Sequence, residues 1–418
     1  MRCFRPGQEL RADLVIVKSR SQSTSHAAPD GTALELSTHA RIAEIGAEQW
    51  DRLAGADAPP FLSFAWLDAL ERTGCVEPNR GWMPLHLSLH CEGRLLAVAP
   101  AYVKGNSEGE FVFDHAWARF ARTSLGADYY PKLVLGVPFT PASGPRLLID
   151  AAADRELVIR GFAEGLARLC ERLKLSSAHV LFPTAEQASE LEQAGLALRH
   201  GIQFHWHNPG YASFDDFLSR FDSKHRNAIR RERREMADAG IEIRTLTGAD
   251  LTSEVADLIY EFYVSTVNKY FWGRQYLNRA FFEQVLCAMP DGLHVVIARD
   301  RASNKPLGGA FNLLGKRALY GRYWGAREER RFLHFNVCFY HAIEDAIGRG
   351  LALFEPGAGG EHKLARGFEP TLTYSAHHLA DPELDLAVRD FLDRERAAIQ
   401  QHVAEARAES VLKPFKCR

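Results

Sequence analysis

Between Glu355 and Pro370 the chain reads EPGAGGEHKLARGFEP. An apolar run, Leu351 to Phe354, stops there. Gly357, Gly359 and Gly360 then lead into an acid, an imidazole, an ammonium and a guanidinium: Glu361, His362, Lys363 and Arg366. Glycines permit unusual dihedrals and a close approach of backbone to ligand. Glu361 or His362 could take a proton from an attacking amine. Lys363 and Arg366 could hold an anion, or a carbonyl oxygen gaining charge. The plainer alternative is a glycine turn carrying a surface ion pair. Three glycines with four polar groups at the C-terminal end of a strand favour function.

Four other stretches carry candidate chemistry. Arg220 to Arg234 holds seven Lys or Arg in fifteen residues, and Arg226, Arg230 and Arg233 share one helical face, with Lys224 nearby. Guanidinium offers paired planar donors to phosphate or carboxylate; a solvated face partly balanced by Asp222, Glu232 and Glu235 is the alternative. Ser124 to Arg146 contains four prolines and three glycines among aromatics. Such a stiff loop could bring Tyr129, Tyr130 and Lys132 to a ligand and Arg146 to an anion, or simply seal the interface between two halves. Lys269 to Leu277, KYFWGRQYL, suits an amphipathic ligand wall with Lys269, Trp272 and Arg274, or part of a core. Finally, Gly321 to Asn336 places Arg327, Arg330 and Arg331 between an expected strand and an expected helix.

These residues need elements to position them. In a first round, Phe61 to Arg72 reads as a helix, Met83 to Leu89 and Leu95 to Val103 as strands, and Gly105 to Gly144 as a loop-rich region. Asp154 to Leu173 is a helix, Ala178 to Phe182 a strand, Thr184 to Glu192 a helix and Leu196 to His207 a strand. In a second round, Ser213-Phe214-Asp215-Asp216 opens a helix that continues to about Ala239. Thr252 to Lys269 is another helix. Leu293–Arg299, Leu307–Leu314 and Ala318–Trp324 form three antiparallel strands. A helix over 332–349, the strand 351–354, a strand over 371–377 and a helix over 384–408 complete the chain. The expected fold is therefore α/β with mixed sheets, as two tandem GNAT-like modules: a leader over 1–33, a domain over 34–208 and a second over 209–418. At the strand–helix junction of such a module, backbone amides and a helix N-terminus receive the pyrophosphate of coenzyme A. The usual glycine-rich signature, Q/R-x-x-G-x-G/A, is missing here. Arg327, Arg330, Arg331 and Asn336 are the expected substitutes.

The bulk numbers constrain the partners. The 418 residues carry a net charge of -2, with 46% hydrophobic and 25% charged residues, an ordinary globular balance. The chain as a whole is no polycation for DNA or anionic lipid, so any such binding needs a local patch. Seven cysteines occur without a CxxC pair and read as reduced thiols, which fits a cytoplasmic setting and neither a disulfide framework nor a zinc site. His341-x-x-Glu344 lacks a third ligand, so no metal is expected. No apolar run approaches membrane-span length, and the first thirty residues lack a signal-peptide core.

The motifs YYPKL, VPFTPASGPRLL, SKHRNAIRRERR, FYVSTVNKYFWGRQYL, LYGRYWGA, LHFNVCFY and GAGGEHKLARGFEP together resemble a bacterial family of FemAB-like N-acyltransferases, the peptidoglycan biosynthesis/recognition proteins of the GNAT superfamily. The resemblance runs from about Trp50 to Phe415. It implies two GNAT-like modules and transfer of an acyl or aminoacyl group to an amine. Two positions depart from the family pattern. Asn336 stands where LHFE would have a carboxylate, and Gly359 stands where GAQGEHK would have Gln. The triplet Glu361-His362-Lys363 and Arg366 are intact.

The leading expectation is an N-acyltransferase with no bound cofactor and an acyl-CoA co-substrate. Glu361 or His362 takes the proton of a small-molecule or cell-wall-precursor amine. Backbone amides near Tyr323 to Gly325 polarise the carbonyl, and Tyr320 or Tyr323 protonates the leaving thiolate. A second reading is aminoacyl transfer from charged tRNA to a cell-wall precursor, with the arginine helix on phosphate, which predicts strong salt dependence. A third is a binding protein that keeps the pocket without the chemistry.

Overall fold

The computed structural model describes residues 15–18, 33–269 and 274–413. These form two compact units. The first takes the described residues to 58, with 62–201 and 373–400, and the second takes 59–61, 202–372 and those from 401. A contiguous division at 208/209 would assign 373–400 to the second unit. The rest of the expected leader lies outside the described residues, but Val15–Lys18 (β1) forms a strand antiparallel to Ala33–His39 (β2).

In the first unit, β2 pairs with His86–Cys91 (β4), which pairs with Arg94–Ala99 (β5) and then Leu148–Ile149 (β8). A second sheet runs through Trp82–Pro84 (β3), Ala101–Lys104 (β6), Lys132–Leu135 (β7) and Ser177–Leu181 (β9). It is closed by the distant Glu369–Leu379 (β16), antiparallel on β9 through Ser375↔Leu181 to Leu379↔Ser177. Where the sequence predicts two continuous strands, the structure has four. Pro84 ends β3 and Pro100 parts β5 from β6, because proline has no N–H for a central ladder.

The crossover between the parallel β7 and β9 is a helix, Arg155–Leu173, with Asp154 capping the Leu157 N–H. It packs closely on β2 of the other sheet because Gly161 and Gly165 have no side chain. A Cβ there would come within 2.5 Å of Leu34 Cδ1 and 2.7 Å of Leu36 Cδ2. The region expected to be loop-rich holds β7 and the helix His115–Ser124, whose Trp117 and Ala121 face inward.

In the second unit, Ile241–Leu246 (β11), Leu293–Asp300 (β12), Pro306–Leu314 (β13) and Ala318–Ala326 (β14) run antiparallel in order. Leu353–Glu355 (β15) then runs parallel to β14, and Ala197–His207 (β10), whose residues from 202 belong here, pairs with β15. Three antiparallel strands, a helix and a parallel strand are the GNAT arrangement that the sequence predicts. The crossover helix spans 333–348. The helix expected from Ser213 to Ala239 is two helices, Phe214–Ser219 and Ser223–Asp238, with Ser213 and Asp222 as their caps. Strand β11 and the helix Arg279–Ala288 are additional to the sequence reading.

Candidate functional site

The second unit opens where two strands part. The β14–β15 ladder holds only from Ala318↔Leu353 to Tyr320↔Glu355, while β14 continues along β13 to Ala326. Pro356 turns the chain away, packed so closely on Gly321 that a Cβ there would lie 3.1 Å from Pro356 Cα. The β13–β14 register jumps from Phe311↔Tyr323 to Asn312↔Gly321, so Arg322 is an extra residue that bends β14 at the opening. Gly325 admits the backbone of the helix Ser253–Val267, since a Cβ would fall 1.8 Å from Phe262 O. From that helix Thr266 Oγ1 donates to Trp324 O at 2.5 Å.

The glycine loop follows. Gly357, Gly359 and Gly360 all have positive φ, the region glycine tolerates best. A 3-10 turn, Glu361–Arg366, comes next. The Lys363 ammonium is buried and donates to Gly357 O at 2.6 Å, tying the turn back over the glycines. Burial lowers its pKa to about 8. The Arg366 guanidinium lies 3.3 Å from the centre of the Phe335 ring. Its Nη1 donates to His362 O at 3.0 Å, and its Nη2 reaches Glu232 Oε2 at 3.4 Å. Tyr340 Oη donates to that same oxygen at 2.5 Å. The His362 ring is exposed, with its centroid 5.9 Å from Phe335, 5.8 Å from Phe339 and 6.1 Å from His334.

Beside the loop, Lys269, Trp324, Ala326, Glu328, Glu329, Arg330, Arg331, Leu333 and His334 line a cleft of about 440 Å³. Lys269 pairs with Glu329 at 3.2 Å and Arg330 with Glu328 at 3.6 Å. Arg331 lies over the Phe332 ring and has no ion-pair partner among the described residues. His334 joins cleft to loop. Burial first, then repulsion from His362, Arg366 and Lys363, lowers its pKa to about 4. The same causes, burial and then Arg366 and Lys363, lower that of His362. Both imidazoles are therefore neutral near pH 7.

The structure thus brings His362, Lys363 and Arg366 together, and gathers Lys269, Arg330 and Arg331 in the adjoining cleft. Other expectations need correction. Arg327 is held bidentately by Glu261, at 2.6 and 2.7 Å, and is not part of the cleft lining. Asn336 is buried and donates to Glu232 O and Phe332 O, so its amide N–H groups serve the helix rather than a coenzyme. The arginine face of Ser223–Asp238 is engaged in contacts within the chain, two of them solvent-exposed ion pairs: Arg226 on Phe221 O, Arg230 on Asp215, Arg233 on Glu344. Lys224 is exposed. Tyr323 packs edge-on to Tyr263 at 5.0 Å, within an aromatic layer with Phe282 and Phe311. Lys132, in the first unit, is fully buried and donates to Ser107 Oγ, Glu110 Oε2 and Asp114 Oδ2 at 2.9, 2.7 and 2.5 Å. Its three N–H groups leave nothing for an anion, and Tyr130 Oη sits against Ser107 Oγ at 2.9 Å. Arg146 is likewise buried, on the carbonyls of Leu181, Gly144 and Ala142. Trp272 and the Glu361 side chain lie outside the described residues.

Sequence reasoning missed Glu232, Tyr340 and His334. One signal was present for Glu232. It falls on the stripe Ile229, Glu232, Met236, the inward face of its helix, so an acid there had to find partners.

The pattern of the FemAB-like family, described as peptidoglycan biosynthesis/recognition, matches residues 41–416. The chain is similar to the crystal structure of FemX (10% identity, 81% of this chain and 96% of that one, TM-score 0.48). It is also similar to the C-terminal domain of a putative lysylphosphatidylglycerol synthetase from Agrobacterium fabrum (11%, 69% and 84%, TM-score 0.44). A third likeness is to a tandem GNAT protein from the clavulanic acid biosynthesis pathway (14%, 84% and 99%, TM-score 0.40). No curated protein matches the chain.

Proposed function

The chain belongs to the FemAB-like family of peptidoglycan biosynthesis/recognition proteins, and from that premise we propose that it is a transferase, which moves an acyl group from a coenzyme A thioester to an amine of a cell-wall precursor or small molecule by direct attack. The observation that carries this reading is the shared wall at His334. A cationic cleft with Arg330 and Arg331 ends against a neutral imidazole pair, His334 and His362, beside a glycine loop. The cleft holds the donor's phosphates, with Arg331 the cation free of an ion pair.

The amine nitrogen bonds to the thioester carbonyl carbon, and the oxygen gains charge against backbone N–H groups of β14 near Tyr323 to Gly325. His362 takes the proton of the attacking amine; its lowered pKa keeps it neutral and able to accept. The C–S bond then breaks, the thiolate departs with both bonding electrons, and it takes up a proton from water. Lys363 and Arg366 shape the loop, through Gly357 O and Glu232, and add positive potential near the developing oxyanion. Glu361 is the second candidate base.

The test is calorimetric titration of the full chain with coenzyme A and acetyl-CoA, beside Arg330→Ala/Arg331→Ala. Micromolar binding that the double variant loses is the expected result. An absence of binding at millimolar ligand would overturn the thioester donor. The missing glycine-rich signature at 327–333 would then favour charged tRNA as donor, with affinity falling steeply as salt rises.

A further inference from the structure

The large hydrophobic side chains most exposed among the described residues are Phe111, Phe113, Phe120 and Leu386, at 38%, 68%, 38% and 72%. Three of the four fall within ten residues of the first unit, and the backbone around them is anchored. Glu110 and Asp114, on either side of Phe111 and Phe113, are buried and both accept from Lys132 Nζ. Asp114 also accepts from Ser107 Oγ at 2.5 Å and Tyr129 Oη at 2.8 Å. Arg199 Nη1 holds the Phe113 carbonyl at 2.7 Å. Phe111 has φ +61°, a left-handed conformation that glycine or asparagine adopts more cheaply than a bulky ring. A buried charge cluster and a strained residue thus hold two phenyl rings out in water, the opposite of what stability alone favours. Such a cost points to a surface that covers the rings.

Charge identifies that surface. From Phe111 to Ala127 the sole acid is Asp114, which is buried. His115, Arg119 and Arg122 are exposed on the helix His115–Ser124, whose inward face is Trp117 and Ala121. Neither Arg119 nor Arg122 has an ion-pair partner among the described residues. We propose that residues 111–122 are a docking patch for an anionic phospholipid bilayer. The phenyl rings enter the boundary between headgroups and acyl chains, and the two guanidiniums meet lipid phosphates. This is peripheral attachment: no helix among the described residues is long and apolar enough to cross a membrane. It is independent of the donor and acceptor proposed above.

The experiment is co-sedimentation of the full chain with vesicles of phosphatidylglycerol and phosphatidylcholine, against phosphatidylcholine alone. Two variants accompany it: Phe111→Asn/Phe113→Ser/Phe120→Ser and Arg119→Glu/Arg122→Glu. All five positions are exposed, and thermal melting of each variant checks its fold. The chain is expected to bind the anionic vesicles and not the neutral ones, with apparent affinity at least tenfold lower in either variant. No binding to anionic vesicles, or binding that both variants retain, would overturn the proposal. So would a change from dimer to monomer in the phenylalanine variant without vesicle binding, which would assign the patch to self-association.

Discussion

The imidazoles of His334 and His362 lie 6.1 Å apart, one in the wall of a cationic cleft and the other on the glycine loop. Two neutral rings at that junction, crowded by Lys363 and Arg366, can receive a proton but pay heavily to keep one. If His362 is the base, kcat/KM should fall on the acid side with an apparent pKa below 6.5. His362→Ala should lower turnover by at least about 100-fold and abolish that limb. An unchanged limb in the variant would assign the base elsewhere, with Glu361→Gln the next measurement.

His334 also links stability to pH. Its folded pKa of about 4 is below the ordinary 6.5, so the unfolded chain binds the proton more tightly. Its contribution is whole above pH 6.5 and is lost as pH falls through 6.5 towards 4. Allowing for partial exposure, the loss is on the order of 2 kcal/mol. His205, lowered to about 3 by burial, acts with the same sign. Denaturant melts from pH 7 to 4 should show the decline, and His334→Gln should make it shallower.

Tyr340→Phe removes the hydroxyl that donates to Glu232 at 2.5 Å and leaves the carboxylate with Arg366 alone. A loss of about 1–3 kcal/mol is expected by chemical denaturation. Glu232→Ala should cost more, about 3–5 kcal/mol, because Arg366 then stays half-buried with no carboxylate. Ligand binding in the cleft should be weakened by both through the displaced 361–366 turn.

Two glycines should separate by what a methyl group meets. Gly325→Ala drives a Cβ to 1.8 Å from a carbonyl oxygen of the helix behind it, and backbone cannot step aside. Destabilisation above about 4 kcal/mol, or failure to fold, is expected. Gly161→Ala meets the tip of the Leu34 side chain at 2.5 Å, which can change rotamer, so about 1–3 kcal/mol is expected. The reverse order in denaturation midpoints would show that the helix behind Gly325 can shift more easily than the Leu34 side chain.

Lys132→Met takes from two buried carboxylates, Glu110 and Asp114, the ammonium they share. A loss of about 3–5 kcal/mol should follow, recovered in part at low pH. Burial, offset by Lys132 and Lys104, already puts Glu110 up at about 6, so protonation comes readily.

The second unit was legible where local signals were strong. Alternating apolar runs gave β12, β13 and β14, and the glycine-rich end of β15 marked the loop. The alternation around Pro84 and Pro100 predicts continuous strands because hydrophobic alternation carries through a proline even though the ladder does not. The arginine helix misled for a related reason. Arg230 and Arg233 find Asp215 and Glu344, which lie 15 and 111 positions away, and a spacing rule sees neither. The sequence makes Lys132 a candidate ligand contact because its three acceptors come from residues 107–114, a stretch with no local signal that ties it to Lys132.

Strand β16 sets a schedule for synthesis. The first unit's sheet is finished only by residues 373–379, and the unit itself by residues up to 400. A ribosome that has translated residue 201 must add about two hundred more before that unit can close, roughly 10–40 s at ordinary rates. Until then Ala178 and Val180 of β9 sit on an open edge, able to pair with any extended segment that comes by. A transcript cut short after the first unit's contiguous stretch is therefore expected to yield an aggregating fragment rather than a smaller working domain.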